Sequence, residues 1–193
     1  MKKLLLSLLL IISSISYAQI TYGAKAGLNI TNLKDIHGDS DSRYGFHVGG
    51  FATIPIGQSN QFYLQPELLY SQQGEKNTGA NYDELYQLDY LNIPVLFKPY
   101  FSEQDTEFYG IIGPQFGFLI NDNVKNSANL GYEDNEYNSM DLGALLGLGF
   151  SYLRTWEFEA RYLYGFTDTV ENNDINSKKN RTSNLHFSIG YRF

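Results

Sequence analysis

Apolar and polar residues alternate with a period of two in eight separate stretches of this 193-residue chain. The last is the clearest: Leu185, Phe187, Ile189, Tyr191 and Phe193 interleave with Asn184, His186, Ser188, Gly190 and Arg192. Successive side chains of a strand point to opposite faces, so this period predicts a strand with one oily and one polar face. The pattern predicts strands over 22–31, 44–54, 61–73, 85–98, 107–120, 139–152, 156–166 and 183–193. Such a set leaves two open edges unless the last strand pairs with the first. The expected fold is therefore all-β, a closed eight-stranded antiparallel up-and-down transmembrane β-barrel. The connections over 32–43, 74–84, 121–138 and 167–182 are longer than those over 55–60, 99–106 and 153–155, which places long loops at one end and short turns with both termini at the other.

Parity sorts the side chains. One face carries Leu28, Phe46, Leu64, Leu91, Ile93, Ile112, Phe116, Leu146, Leu148 and Phe158, among others; the other carries Lys25, Asn29, His47, Gln65, Glu67, Asn92, Lys98, Gln115, Asp141, Glu159, Arg161, His186 and Arg192. A soluble carrier barrel would turn the oily face inward, so parity by itself leaves two readings. Volume separates them, because an eight-stranded lumen is only just wide enough for a modest set of side chains and the oily face is crowded with aromatics. Eleven of the 18 glycines fall on the polar face, where they leave room for long side chains in a narrow lumen. Tyr22, Phe62, Phe108, Tyr152, Trp156 and Phe193 mark one end of the oily face, and Phe46, Tyr70, Phe118 and Phe166 mark the other. Two aromatic girdles flanking an apolar band are what lipid on the outside demands. The opposite phase would put Lys25, Lys98 and Arg161 into hydrocarbon at about 2 to 4 kcal/mol each near the midplane.

Composition then adds a location. Lys2 and Lys3 precede the apolar run Leu4 to Ile12, and Ser16-Tyr17-Ala18 offers a small-x-small cleavage site, so residues 1–18 are expected to be a signal peptide and 19–193 the barrel domain. The apolar run is too short for a spanning helix, which needs about 20 residues. There is no Cys for a lipid anchor or a disulfide. Removal of Lys2 and Lys3 would leave 12 basic residues (14 less these two) against 21 acidic, a formal charge of −9, which disfavours nucleic acid as a partner. The expected location is the outer membrane of a Gram-negative bacterium.

The stretches Gly23 to Asn29 (GAKAGLN), Gln65 to Ser71 (QPELLYS), Tyr90 to Lys98 (YLNIPVLFK) and Ala160 to Gly165 (ARYLYG) resemble those of the PorT-like outer-membrane β-barrel proteins, in the same order and across essentially all of the chain after the leader. The resemblance implies an integral outer-membrane protein inserted by the barrel-assembly machinery, which reads a last strand ending in an aromatic, here Tyr191 and Phe193. It further implies, for some members, an accessory part in protein secretion or gliding motility, and it carries no catalytic motif. The resemblance also implies an acid in many relatives at the position that Asn92 holds here.

Candidate chemistry is confined to the polar face and the loops. Lys25, Glu67, Lys98, Glu159 and Arg161 define either an ion pathway, since charge at membrane depth suggests function, or a salt-bridged plug of a cramped lumen. The plug is the expectation and a narrow channel the alternative. His186 and Ser188 have the spacing of a lipid A deacylase dyad, but they share the lumen-facing phase, with no carboxylate identifiable to orient the imidazole. Acidic clusters in the loops (Asp35, Asp39, Asp41; Glu133, Asp134, Glu136; Asp168, Glu171, Asp174) lack the regular oxygen spacing of a calcium loop, and His37, His47 and His186 lack zinc-ligand spacing. Pro66, Pro94 and Pro114 inside predicted strands lead one to expect bulges or strand shifts there. The reading is a non-enzymatic barrel without cofactor or metal, in contact with outer-membrane lipid and with a surface or periplasmic protein partner.

Overall fold

A computed structural model describes residues 20–34, 41–79, 82–126, 139–167 and 181–193. Among them the regular elements are eight strands: β1 (Thr21–Lys34), β2 (Asp41–Pro55), β3 (Phe62–Gly79), β4 (Tyr82–Pro99), β5 (Glu107–Asn126), β6 (Met140–Tyr152), β7 (Trp156–Gly165) and β8 (Arg181–Arg192). Each pairs antiparallel with its sequence neighbours, and β8 returns to β1 from Gly23↔Arg192 to Lys34↔Arg181, closing the barrel. Phe193 N–H donates to Tyr22 O at 2.8 Å, so the seam is hydrogen-bonded to the last residue. Closure satisfies the backbone inside a medium that offers it no partner.

Burial alternates residue by residue, most plainly in β7, where Trp156, Phe158, Ala160, Tyr162 and Tyr164 are exposed and the residues between them are buried. The oily face is outside: Leu146, Leu148 and Phe108 are each at least 60% exposed, while Lys25, Lys98 and Arg161 are at most 2% exposed. An inside-out barrel, with the apolar face as a ligand cavity, is thereby excluded.

Three expectations need correction. The segment 74–84 is not a long loop, because β3 and β4 stay paired up to Gly79↔Tyr82, and β5 runs on to Asn126 beside Glu84. A tilted membrane strand needs about 9 to 11 residues, so β3, β4 and β5, with 18, 18 and 20, project past the band at the end opposite the termini. Second, the register shifts lie between Ser42 and His47 on β2 and between Asp89 and Tyr90 on β4, not at the prolines. Beside each proline one ladder lapses and resumes at the same offset: from Phe51↔Glu67 to Ile54↔Leu64, from Pro66↔Val95 to Leu69↔Asn92, and from Pro94↔Gln115 to Phe97↔Ile112. A missing N–H removes a bond, and the closed barrel holds the strands in step on either side. Third, the inward face is not uniformly polar. Tyr63, Leu96, Tyr100, Tyr109, Ile111, Leu145 and Leu163 form a buried apolar cluster reaching from β3 to β7. The expected signal peptide (1–18), the acidic clusters apart from Asp41, and His37 lie outside the described residues.

Candidate functional site: the lumen network

The polar phase of β1, β3, β4 and β7 delivers Lys25, Glu67, Lys98, Glu159 and Arg161 to one place. Lys25 Nζ bridges Glu67 Oε1 at 2.7 Å and Glu159 Oε2 at 2.6 Å. Arg161 grips Glu67 with both terminal nitrogens, Nη1 to Oε2 at 2.8 Å and Nη2 to Oε1 at 2.7 Å, and its Nη2 also lies 2.5 Å from Glu159 Oε2. This bidentate fork fixes geometry as well as charge. Lys98 Nζ joins the cluster to a further acid, lying 3.2 Å from Glu159 Oε1 and 2.8 Å from Glu157 Oε2. Neutral groups fill other lone pairs: Tyr109 OH donates to Glu159 at 2.9 Å, Gln65 Nε2 to Glu67 at 2.7 Å and Thr53 to Gln65 Oε1 at 3.1 Å.

Room for these side chains comes from glycine. A Cβ on Gly149 would stand 2.2 Å from the Tyr109 ring, and one on Gly27 would stand 2.5 Å from His47. The Tyr109 ring in turn carries Lys98 Nζ at 4.2 Å from its centroid, a cation held over a π face.

Toward the termini the network is capped. Arg192 pairs with Glu157 and donates to Tyr100 OH at 3.2 Å. Arg154, on the turn after β6, pairs with Glu107, donates through Nε to Gln104 O at 3.1 Å and stacks on Tyr100 with Cζ 4.0 Å from the ring centroid. Leu153 and Arg154 both take a φ of 54°, a left-handed pair without glycine. Left-handed backbone costs L-residues about 1 to 2 kcal/mol each. Bonds from Arg154 N to Asp105 O at 2.9 Å and from Leu153 N to Thr106 Oγ1 at 3.1 Å hold the strained turn against the 101–106 segment.

Toward the other end sits a tier of uncharged side chains and imidazoles. His47 Nδ1 lies 2.6 Å from Asn29 Oδ1, its Nε2 lies 2.8 Å from Ser188 Oγ, and Asn29 Nδ2 donates to Ser71 Oγ at 2.9 Å. The His186 and His47 rings stand 5.5 Å apart. The spacing that suggested a His186–Ser188 dyad thus resolves differently: Ser188 pairs with His47, both are buried in the lumen, and His186 Nε2 has no hydrogen-bond partner among the described residues. Both Asn92 amide atoms and Arg161 Nε are also buried without one there. No group of three metal-binding side chains converges among the described residues.

The five charges singled out from the sequence meet, and four more join them. Glu157 and Arg192 carry the right phase and were legible in the alternation. Glu107 shares that phase at the first position of β5, yet its partner Arg154 sits on a turn, where parity says nothing. Within the inner set, Lys25, Lys98, Arg161 and Arg192 face Glu67, Glu157 and Glu159, one cation in excess. Tyr22, Phe62, Phe108, Tyr152 and Trp156 all lie exposed at the terminal end, and Tyr191 packs its ring between Trp156 and Phe193.

Residues 16–171 match the family described as outer membrane protein beta-barrel domain. Among solved structures the chain is similar to Neisserial surface protein A, with 16% identity over 90% of this chain and 97% of that one and a TM-score of 0.53. A major outer membrane protein from Thermus thermophilus gives 13% identity, 91% and 100% coverage and a TM-score of 0.51. OprG from Pseudomonas aeruginosa gives 14%, 90% and 94%, and 0.50. At such identities the likeness is one of fold. No curated protein sequence matches the chain.

Proposed function

We propose that this chain, which belongs to the outer membrane protein beta-barrel domain family, is a non-enzymatic scaffold of the outer membrane whose lumen is sealed and whose working surface is the rim of long strands and loops opposite the termini. The observation that carries this reading is the ionic column. Each inner carboxylate is held by two or more cations, and the side chains of Lys25, Glu67, Lys98, Glu157 and Glu159 are fully buried. Opening a path past charges so paired means breaking several contacts at once. The imidazole–serine pair is sealed in the same lumen, away from lipid and solvent, which speaks against acyl-ester chemistry.

The test is conductance of the purified barrel in planar bilayers. No steady open state is expected of the wild type; a steady conductance that shifts in Arg161→Ala would replace the scaffold with a narrow channel. One observation favours that second reading, the unpartnered buried atoms of Asn92 and His186, since orphaned polar groups in a lumen are the natural partners of water.

Further parts of the proposal rest on the sequence. Tyr191 and Phe193 serve as the signal read by the barrel-assembly machinery, and Tyr22, Phe62, Phe108, Tyr152 and Trp156 form the periplasmic girdle. A cleaved leader delivers the chain to the periplasm. Likeness to PorT-type barrels in four stretches supports an accessory part in protein secretion or gliding motility, through a surface or periplasmic protein partner. Deletion of the coding sequence should then reduce exported protein or surface spreading; unchanged export and spreading would remove that role.

A further inference from the structure

The lipid-facing wall carries a groove. It is shallow and open to the outside, with a volume of about 760 Å³, and runs across five strands, from β5 through β6, β7 and β8 to β1. Its geometry follows from register. One bank is the paired row Phe108, Phe150, Phe158, Ile189 and Ala26. The other is Leu148, Ala160, Phe187 and Leu28, two residues further along each strand. Between the banks lie Gly149 and Gly27, which have no side chain, and Glu159 and Ser188, whose side chains turn inward, so that backbone forms the floor. Ala160 and Ala26 interrupt banks otherwise built of large side chains.

We propose that this groove binds one acyl chain of a phospholipid from the periplasmic leaflet; the inference rests on the outer-membrane reading above. Three observations choose the occupant. The lining is almost entirely apolar, which suits hydrocarbon. The groove begins at Phe108, whose partner Phe150 lies one outward-facing row from the Tyr152↔Trp156 pair at the terminal end, and it ends at Ala26 and Leu28, further along β1 than Tyr22. A headgroup resting at that aromatic belt would feed its tail along the groove. Four interstrand steps of about 4.8 Å give a length of about 19 Å, comparable with the ~15 Å that one leaflet contributes to a hydrocarbon core of about 30 Å.

The full chain, folded into phosphatidylethanolamine vesicles doped with the same lipid bearing a diazirine on one acyl chain, is irradiated, and the adducts are mapped. Adducts should be enriched several-fold on 158–160 and 187–189 over the outward face of β3 and β4. Ala160→Trp, or Ala26→Trp should the first fail to fold, should abolish that enrichment, whereas Leu91→Trp should leave it intact. Adducts spread evenly around the barrel, or enrichment unaltered by both groove variants, would overturn the proposal. So would a groove free of adducts together with disulfide-linked dimers of an Ala160→Cys variant, which would give it to a second copy of the chain. Failure of the membrane reading looks different: no adducts anywhere, and no change in gel mobility on boiling, would remove both.

Discussion

At the scale of single residues the lumen is asymmetric in charge. With four cations facing three carboxylates, loss of a carboxylate and loss of a cation are unequal events. Glu159→Gln strands Lys25, Arg161 and Lys98 with one acid fewer, and breaking a buried pair from one side costs about 3 to 5 kcal/mol. Lys25→Met leaves three against three, with Arg161 still gripping Glu67 and Tyr109 still donating to Glu159. It should cost about 1 to 2 kcal/mol. Urea unfolding in detergent micelles measures both, and equal losses would refute the asymmetry. Gly149 is a second residue-scale lever. Its missing Cβ is the space taken by Tyr109, at 2.2 Å, so Gly149→Val should destabilise by about 1 to 3 kcal/mol through overpacking. A neutral result in the same unfolding assay would mean that Tyr109 does not occupy that space.

At the scale of elements the turn from β6 to β7 is where sequence and conformation disagree most. Leu153 and Arg154 adopt left-handed backbone that favours Asn or Gly. Arg154 has compensations in Glu107, Gln104 and the Tyr100 ring. Leu153 is 57% exposed, and an apolar side chain can make no such polar bonds. Leu153→Asn should therefore raise stability by about 1 kcal/mol, seen as a higher urea midpoint with an unchanged slope. A lower midpoint would show that the leucine side chain contributes packing the geometry hides. The prolines teach the complementary lesson: each weakens one ladder locally, and neighbouring strands on both sides keep the register.

At the scale of the whole molecule, the apolar outside and ionic inside fix how the barrel sits in lipid. Trp156 is the sole tryptophan of the chain and lies 43% exposed at the terminal end. A girdle residue belongs at headgroup depth. Brominated phospholipids should therefore quench its fluorescence more strongly when the bromines sit near the carbonyls than when they sit near the chain ends. Stronger quenching from the chain ends would place Trp156 near the midplane and undo the proposed girdle.

The period of two, by itself, determined eight strands and which residues share a face, because strand side chains alternate whatever the partner. Counting what an eight-stranded lumen can hold then turned the charges inward. Strand length was not legible: polar, turn-rich 74–84 reads as a loop, and only pairing with neighbours makes 74–79 and 82–84 sheet. Nor was the full ion network. Alternation says that Glu157 and Arg192 point inward but not whom they meet, and it is silent on Arg154, which reaches Glu107 from a turn. Which histidine meets Ser188 was likewise decided across β1, where His47 and Ser188 flank Gly27 from either side and meet over the space its missing side chain leaves open. Facing is a property of one strand and its local geometry. Partnership depends on register, tilt and closure of all eight, and these exist only in the folded barrel.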